Sequence, residues 1–210
     1  MAQNITMNIT IPTLNEATPA MTVNGWIIFQ QQLIQSSTPT TLSFNQNWTA
    51  FSNGFGIHSN NYYIGNEKVH LLTQAGTTCR LRIEMLFSNG WMSAEYDQFS
   101  LDSETGLYRL HLAGYSNGEC GDSLDYTGKH EGIEIRYQNG MAFSTFDYDN
   151  DLKETPPSCV KEYSSGFWYN DCYWGLVWGD VASNVGWWTM PSGHDLVIKS
   201  RMMIKPLGVI

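Results

Sequence analysis

The sequence predicts one loop-rich globular domain built on β-strands, and three observations carry that prediction. Short apolar runs are separated by many Gly, Asn, Ser and Thr residues. The segment from Arg80 to Phe87 alternates, with Leu81, Ile83 and Met85 on one face, the period-two mark of a strand. Aromatic residues are plentiful, with eight Trp and eleven Tyr, while charged residues make up only 15%. That balance suits neither a helical bundle nor a disordered chain. With 210 residues, the chain is long enough to bury a core without cross-links.

Residues 1–22 are polar and Thr/Asn-rich, and form either an N-terminal extension or an edge strand ahead of a domain over 23–210. Within them, Ile5 to Ile11 alternates apolar and polar residues and reads as an edge strand. Pro12, Pro19 and the residues between them read as loop. Residues 26–34 (WIIFQQQLI) read as a strand, and Gln35 to Thr41 as turn. Gly65 to Leu72 has the apolar spacing of a short helix. After Arg80–Phe87 comes the turn signal Ser88-Asn89-Gly90. Ala94–Phe99 and Leu107–Leu112 then continue a three-strand meander. From Gly114 to about residue 192 the chain is irregular and rich in Gly, Asn, Asp, Ser and Tyr. Long ordered loops of this kind usually carry function. Leu196–Ile204 closes the chain as a final strand, with no internal repeat or domain boundary before it.

The formal net charge of −9 repels phosphate backbones, so nucleic acid is not an expected partner. No apolar run approaches the ~20 residues of a membrane span, so membrane insertion is not expected either. The N-terminus lacks the basic-then-apolar order of a signal peptide. Sequons at Asn4, Asn8 and Asn47 lean weakly toward secretion. Catalysis finds no frame. His58, His70, His111, His130 and His194 are scattered, and the metalloprotease, nucleophile-elbow and phosphate-loop patterns are absent.

Chemistry concentrates in two places. Asp147-Tyr148-Asp149-Asn150-Asp151 sets three carboxylates at alternate positions, a supply of hard oxygens suited to calcium. It is no EF-hand, because the sixth position lacks Gly and the twelfth is Ser158. A solvated acidic turn is the plainer reading. Further on, Cys159 and Cys172 bracket an aromatic stretch with Tyr163, Phe167, Trp168 and Tyr169. They form either a loop-closing disulfide or two buried thiols, and the spacing for structural zinc is missing.

Many ordered motifs resemble the fibrinogen-like C-terminal domain family. They begin with Asn24-Gly25-Trp26, Phe44 to Trp48 and Gly54-Phe55-Gly56. They continue through Tyr62 to Glu67 with His70 to Thr73, then Leu81 to Glu84 and Ala94 to Tyr96. Tyr108 to Leu110, Gly121 to Leu124 and Phe143 to Asp147 follow in family order. Gly166 to Cys172 and Met202 to Pro206 complete the series, which covers about residues 24–206. The resemblance implies an α+β fold: an N-terminal part, a central and mainly antiparallel sheet, and a loop-rich ligand-binding part. It implies one calcium ion (Ca2+) on Asp149 and Asp151 with backbone carbonyls and water. It implies a disulfide between Cys159 and Cys172, a cis peptide at Asp171-Cys172, and extracellular, non-enzymatic work.

Lectin members such as ficolins and tachylectins recognise acetylated glycans beside that calcium. The matching ligand residues here are Tyr163, Asp171, Cys172, Tyr173, Trp174 and Ala182, with less definite aromatic contributions near 181–182 and 193–194. The sequence departs from the family in several places. Tyr173 stands for the usual His, Leu176-Val177-Trp178-Gly179 replaces an N-L-N-G stretch, and the loop to Gly186 is short. The interval before Cys159 is two residues longer. Trp174, Trp178 and Trp188 either stack on a sugar face or pack inside. The family's first disulfide is absent; Cys79 and Cys120 either pair with each other, the favoured reading, or stay as buried free thiols. Two functions follow: a calcium-dependent lectin for acetylated glycans in innate defence, or a module for a protein receptor. Assembly into a homo-oligomer is compatible with either.

Overall fold

A computed structural model describes residues 5–11, 16–34, 42–57, 60–74, 78–125, 129–130, 133–134, 137–180, 184–190 and 196–207. Strands β1 (Ile5–Ile11), β2 (Glu16–Val23) and β3 (Trp26–Leu33) run antiparallel in succession. Asn24 (φ 50°) and Gly25 (φ 78°) make the two-residue turn between β2 and β3; both sit in the left-handed region that a primed hairpin turn requires. Pro19 lies inside β2, opposite Asn8, which corrects the loop expected over 16–19; residues 12–15 lie outside the described residues.

Helix α1 (Trp48–Asn53) starts where the Asn47 side chain accepts the Ala50 N–H at 2.9 Å. It stops at Gly54 (φ 97°), where a Cβ would stand 2.3 Å from the Ile64 carbonyl oxygen. Short strands β4 (Phe55–Gly56) and β5 (Tyr62–Tyr63) pair with each other, and β5 also pairs with β3. Helix α2 (Asn66–Thr73) turns Val69 and Leu72 inward and packs on the sheet.

The meander follows as β6 (Thr78–Phe87), β7 (Gly90–Leu101) and β8 (Leu110–Asn117). Leu81, Ile83, Met85 and Phe87 of β6 are buried. On β6's opposite face, Arg80 meets Glu95 at 2.8 Å, Arg82 meets Glu84 at 2.6 Å, and Glu84 also pairs with Arg201. Strand β8 begins three residues later than the apolar run suggests. A 3-10 turn at Glu104–Gly106 leads into Leu107 (φ 60°) and Tyr108 (φ 46°), and this backbone cannot join a ladder. Small pairs follow: β9 (Lys129–His130) with β10 (Ile133–Glu134), and β11 (Gly175–Leu176) with β12 (Gly186–Trp187). Helix α3 (Cys159–Tyr163) precedes them in part, and β13 (Lys199–Leu207) ends the described chain.

Strand β13 inserts antiparallel between β3 and β6. The described sheet thus runs β1-β2-β3-β13-β6-β7-β8. With its helices and loop-rich C-terminal half, the chain has the expected α+β, mainly antiparallel architecture. A buried amide side chain on β3 fastens that half to the sheet. Gln32 on β3 donates to the Gly179 carbonyl at 3.0 Å and accepts the Gly179 N–H at 2.9 Å. Within the loop-rich half itself, buried Gln138 accepts from the Gly175 N–H at 3.2 Å and donates to its carbonyl. Between sheet and loops lies an aromatic core. Trp178 meets Phe167 edge-on at 4.7 Å, and Trp168 meets Phe143 at 5.0 Å.

Cys79 and Cys120 are free and buried, which corrects the expected bridge. Cys120 N–H bonds the Ser93 carbonyl, and Ser93 pairs with Glu84. Cys79 lies five positions from Glu84 along β6, or about 16 Å at ~3.3 Å per residue. A disulfide needs Cα atoms within about 7 Å.

Candidate functional site

The acidic segment folds as a tight turn followed by an extended run. Thr145 and Tyr148 exchange backbone hydrogen bonds at 2.9 and 3.1 Å. Asp147 Oδ1 accepts from the Thr145 hydroxyl at 2.7 Å and from the Trp48 N–H at 2.9 Å. The first carboxylate of the alternating set thus ties the loop to the start of α1. Asn150 turns inward, where its side-chain N–H donates to the Phe143 carbonyl at 2.8 Å. Alternation leaves Asp149 and Asp151 on the other side.

Asp149 is exposed and its Oδ1 accepts the Asp151 N–H at 3.3 Å. Asp151 is half-buried. Its Oδ1 accepts from the Lys153 N–H at 2.9 Å, and its Oδ2 from the Cys159 N–H at 2.7 Å. Burial pushes its carboxyl above the usual carboxylate range, and the Asp149 charge pushes it further the same way. Two carboxylates, one of them desolvated and repelled by its neighbour, form a donor set that a hard divalent cation would relieve. Each carboxylate oxygen has a lone pair beyond the hydrogen bond it accepts, so the residues fit calcium. Among the described residues no group of three or more His, Cys, Asp or Glu converges. A calcium here would therefore draw its remaining oxygens from backbone carbonyls and water.

The loop is bound directly to the turn at 171–174. Leu152 N–H donates to the Asn170 carbonyl at 2.9 Å, and Asn170 N–H donates to the Cys172 carbonyl at 2.8 Å. Cys159 and Cys172 form a disulfide with Cα atoms 5.4 Å apart. The Asp171-Cys172 peptide is cis. Asp151, holding the Cys159 N–H at the start of α3, and the disulfide at the same residue join three segments in a few ångströms.

Tyr163 and Tyr173 stand beside this junction with ring centroids 4.8 Å apart at 85°, backed by buried Tyr169 at 6.3 Å from each. Burial raises the Tyr163 phenol above its usual value, and Glu162 and Asp171 add to that rise. The Tyr173 hydroxyl donates to the Asn184 carbonyl, so its polar end anchors the following loop while its ring flanks Tyr163. Trp174 is only 8% exposed, whereas its edge-on neighbour Trp188 is 41% exposed. Trp178, read as one of three candidate stacking surfaces, is wholly buried and belongs to the core. Ala182 and residues 193–194 lie outside the described residues. Two organising residues were missed as such, Asn170 inside the Gly166–Cys172 motif and Asp180 outside any motif. Asn170 relays the acidic loop to the turn, and Asp180 fixes residues 43 and 44 by accepting from the Ser43 hydroxyl and the Phe44 N–H.

A well-formed concavity lies elsewhere. An open cleft of about 1000 Å3 is lined by His70, Thr73, Gln98, Asp102 and His111 among others. In it His111 Nε2 stands 2.8 Å from Asp102 Oδ1, and His70 Nδ1 faces the Leu101 carbonyl at 2.8 Å. Volume alone does not mark the recognition site, and the converging loop, turn and ring pair remain the more organised candidate.

Comparison with known proteins accords with this architecture. The family described as "Fibrinogen beta and gamma chains, C-terminal globular domain" matches residues 19–207. Protein scabrous of Drosophila melanogaster is 32% identical over 90% of this chain and 21% of its own length. Ryncolin-4 of Cerberus rynchops is 31% identical over 87% of this chain and 50% of its own. The human fibrinogen gamma chain is 36% identical over 74% of this chain and 35% of its own. The chain spans half or less of these relatives' lengths. Among solved structures, the fibrinogen-like globe domain of human ANGPTL6 superposes with TM-score 0.79 at 25% identity, covering 99% of this chain and 90% of that one. Lamprey fibrin D-dimer, complexed with a Gly-His-Arg-Pro-amide peptide, shares the fold at TM-score 0.80, 24% identity, and 99% and 70% coverage. The chain belongs to the fibrinogen C-terminal domain family.

Proposed function

We propose that the chain is a secreted, non-catalytic recognition module that holds one calcium ion on Asp149 and Asp151 and binds acetylated glycans at the adjoining turn. One observation carries the reading: the acidic loop, the disulfide and the 171–174 turn are a single bonded unit, through Leu152 to Asn170 and Asp151 to Cys159. When bound, calcium would neutralise the two carboxylates and hold the loop in place. Tyr163 and Tyr173 offer ring faces for an acetyl methyl or a sugar face. Backbone N–H groups at the Asp171-Cys172 turn would donate to the acetyl oxygen. Trp174, only 8% exposed, Asp171 and Ala182 complete the assigned set.

A protein receptor is the second reading. Phe146, Tyr148 and Leu152, all exposed around the acidic loop, suit a broader partner than a sugar. A glycan array probed in calcium and again in EDTA separates the two. Calcium-dependent signals confined to acetylated sugars support the lectin. A silent array in both buffers, with the fold intact, rejects it in favour of the receptor module.

A further inference from the structure

Trp48 and Tyr148 wall an open cleft of about 400 Å3 that Thr49, Glu104, Leu107 and Asp147 complete. The two rings meet at 69° with centroids 4.8 Å apart, which makes a corner of aromatic surface. Trp48 is braced from behind by Tyr108 at 5.5 Å and Phe143 at 6.4 Å. Its indole N–H donates to Glu104 Oε1 at 2.8 Å, which pins that carboxylate at the rim. Asp147 is pinned by the Trp48 N–H and the Thr145 hydroxyl. Tyr148 is held by its backbone pairing with Thr145, yet it is 47% exposed. Among the described residues, no Lys, Arg or His forms an ion pair with Glu104 or Asp147.

The chemistry of the walls selects the occupant. An anion would meet two carboxylates on a chain of net charge −9. An apolar group would strip water from those carboxylates with nothing to replace it. A cation is drawn by the ring faces and the carboxylates together. Guanidinium suits the corner best, being planar, weakly hydrated and able to stack on an indole while donating to a carboxylate. We propose that this cleft receives an arginine side chain of a protein partner. It uses none of the residues assigned to calcium or glycan and stands independently of that assignment.

The test titrates N-acetyl-arginine amide into isotopically labelled protein and follows the Trp48 indole N–H resonance, assigned by its loss in Trp48→Phe. A saturable shift is expected, about fivefold weaker with the neutral isostere N-acetyl-citrulline amide and in Tyr148→Ala. Glu104→Gln keeps an acceptor for the indole and should fold normally, yet weaken binding by a similar factor. No saturable shift, equal response to citrulline, or unchanged binding in both variants with unaltered melting would overturn the proposal.

Discussion

Replacing both Cys159 and Cys172 by Ala removes a cross-link whose ends are 13 residues apart. Closing a loop of that size restricts the unfolded chain by about 10 cal/mol/K, or about 3 kcal/mol at 25 °C. Alanine is the right replacement because Cys159 is wholly buried and Cys172 packs against the core; serine would bury a hydroxyl and inflate the loss. For a chain of this size, about 3 kcal/mol lowers the melting temperature by about 6–12 °C. Circular dichroism melts of the double variant, and of wild type with and without reductant, measure it. Reduced wild type should fall to nearly the level of the variant. The hydrogen bonds from Leu152 to Asn170 and from Cys159 to Asp151 do not need the sulfur bond, so the native loop should survive at low temperature. A variant melting within about 2 °C of oxidised wild type would refute the entropic reasoning.

Three further outcomes follow. Calcium at about 100 times its Kd should stabilise wild type by about 2.7 kcal/mol, and Asp149→Ala should lose that increment while melting like wild type in EDTA; equal losses in both buffers would argue against a site there. Trp178→Ala should cost about 3–5 kcal/mol, since a buried indole bonded to the Gly166 carbonyl is removed, while Trp188→Ala should stay within about 1 kcal/mol; urea titration checks both. Cys79 and Cys120 should resist alkylation when folded and both react when unfolded without reductant, as read by intact mass. Burial pushes these thiols up to about 11 and about 12, so folded protein keeps protons that unfolded protein sheds. Their contribution should be full below about pH 9 and fall as pH rises above it, which denaturant midpoints across that range would show.

Much of the frame was legible because the period-two and helical patterns face one core. The alternation at Leu81, Ile83 and Met85 places β6, and the apolar spacing after Gly65 places α2. Three features escaped that logic. The Asn24-Gly25 pair is a strong hairpin signal, and taking it as such would have predicted β2 despite Pro19. Leu107 and Tyr108 carry apolar side chains on a left-handed backbone, so hydrophobicity there reports burial and not a strand. Cys79 and Cys120 invite pairing by count, but the β6–β7 register sets them too far apart. In the site, the disulfide is visible through the family motif. The relay through Asn170 is not, because it is made by backbone groups that every residue has. For the same reason, sequence alone gave no way to rank Trp178 as core and Trp188 as exposed.

Titration of N-acetylglucosamine into wild type and Tyr163→Ala, each in calcium and in EDTA, tests the central claim most directly. Tyr163 shares the junction with Tyr173 and is only part-buried, so its truncation should leave the fold standing and remove one apolar wall. Wild type should bind in calcium and lose affinity in EDTA, and Tyr163→Ala should bind about 5- to 150-fold more weakly, as expected for losing ~1–3 kcal/mol of burial. Binding that ignores calcium and is unchanged in Tyr163→Ala would contradict the account and place recognition on another face of the domain.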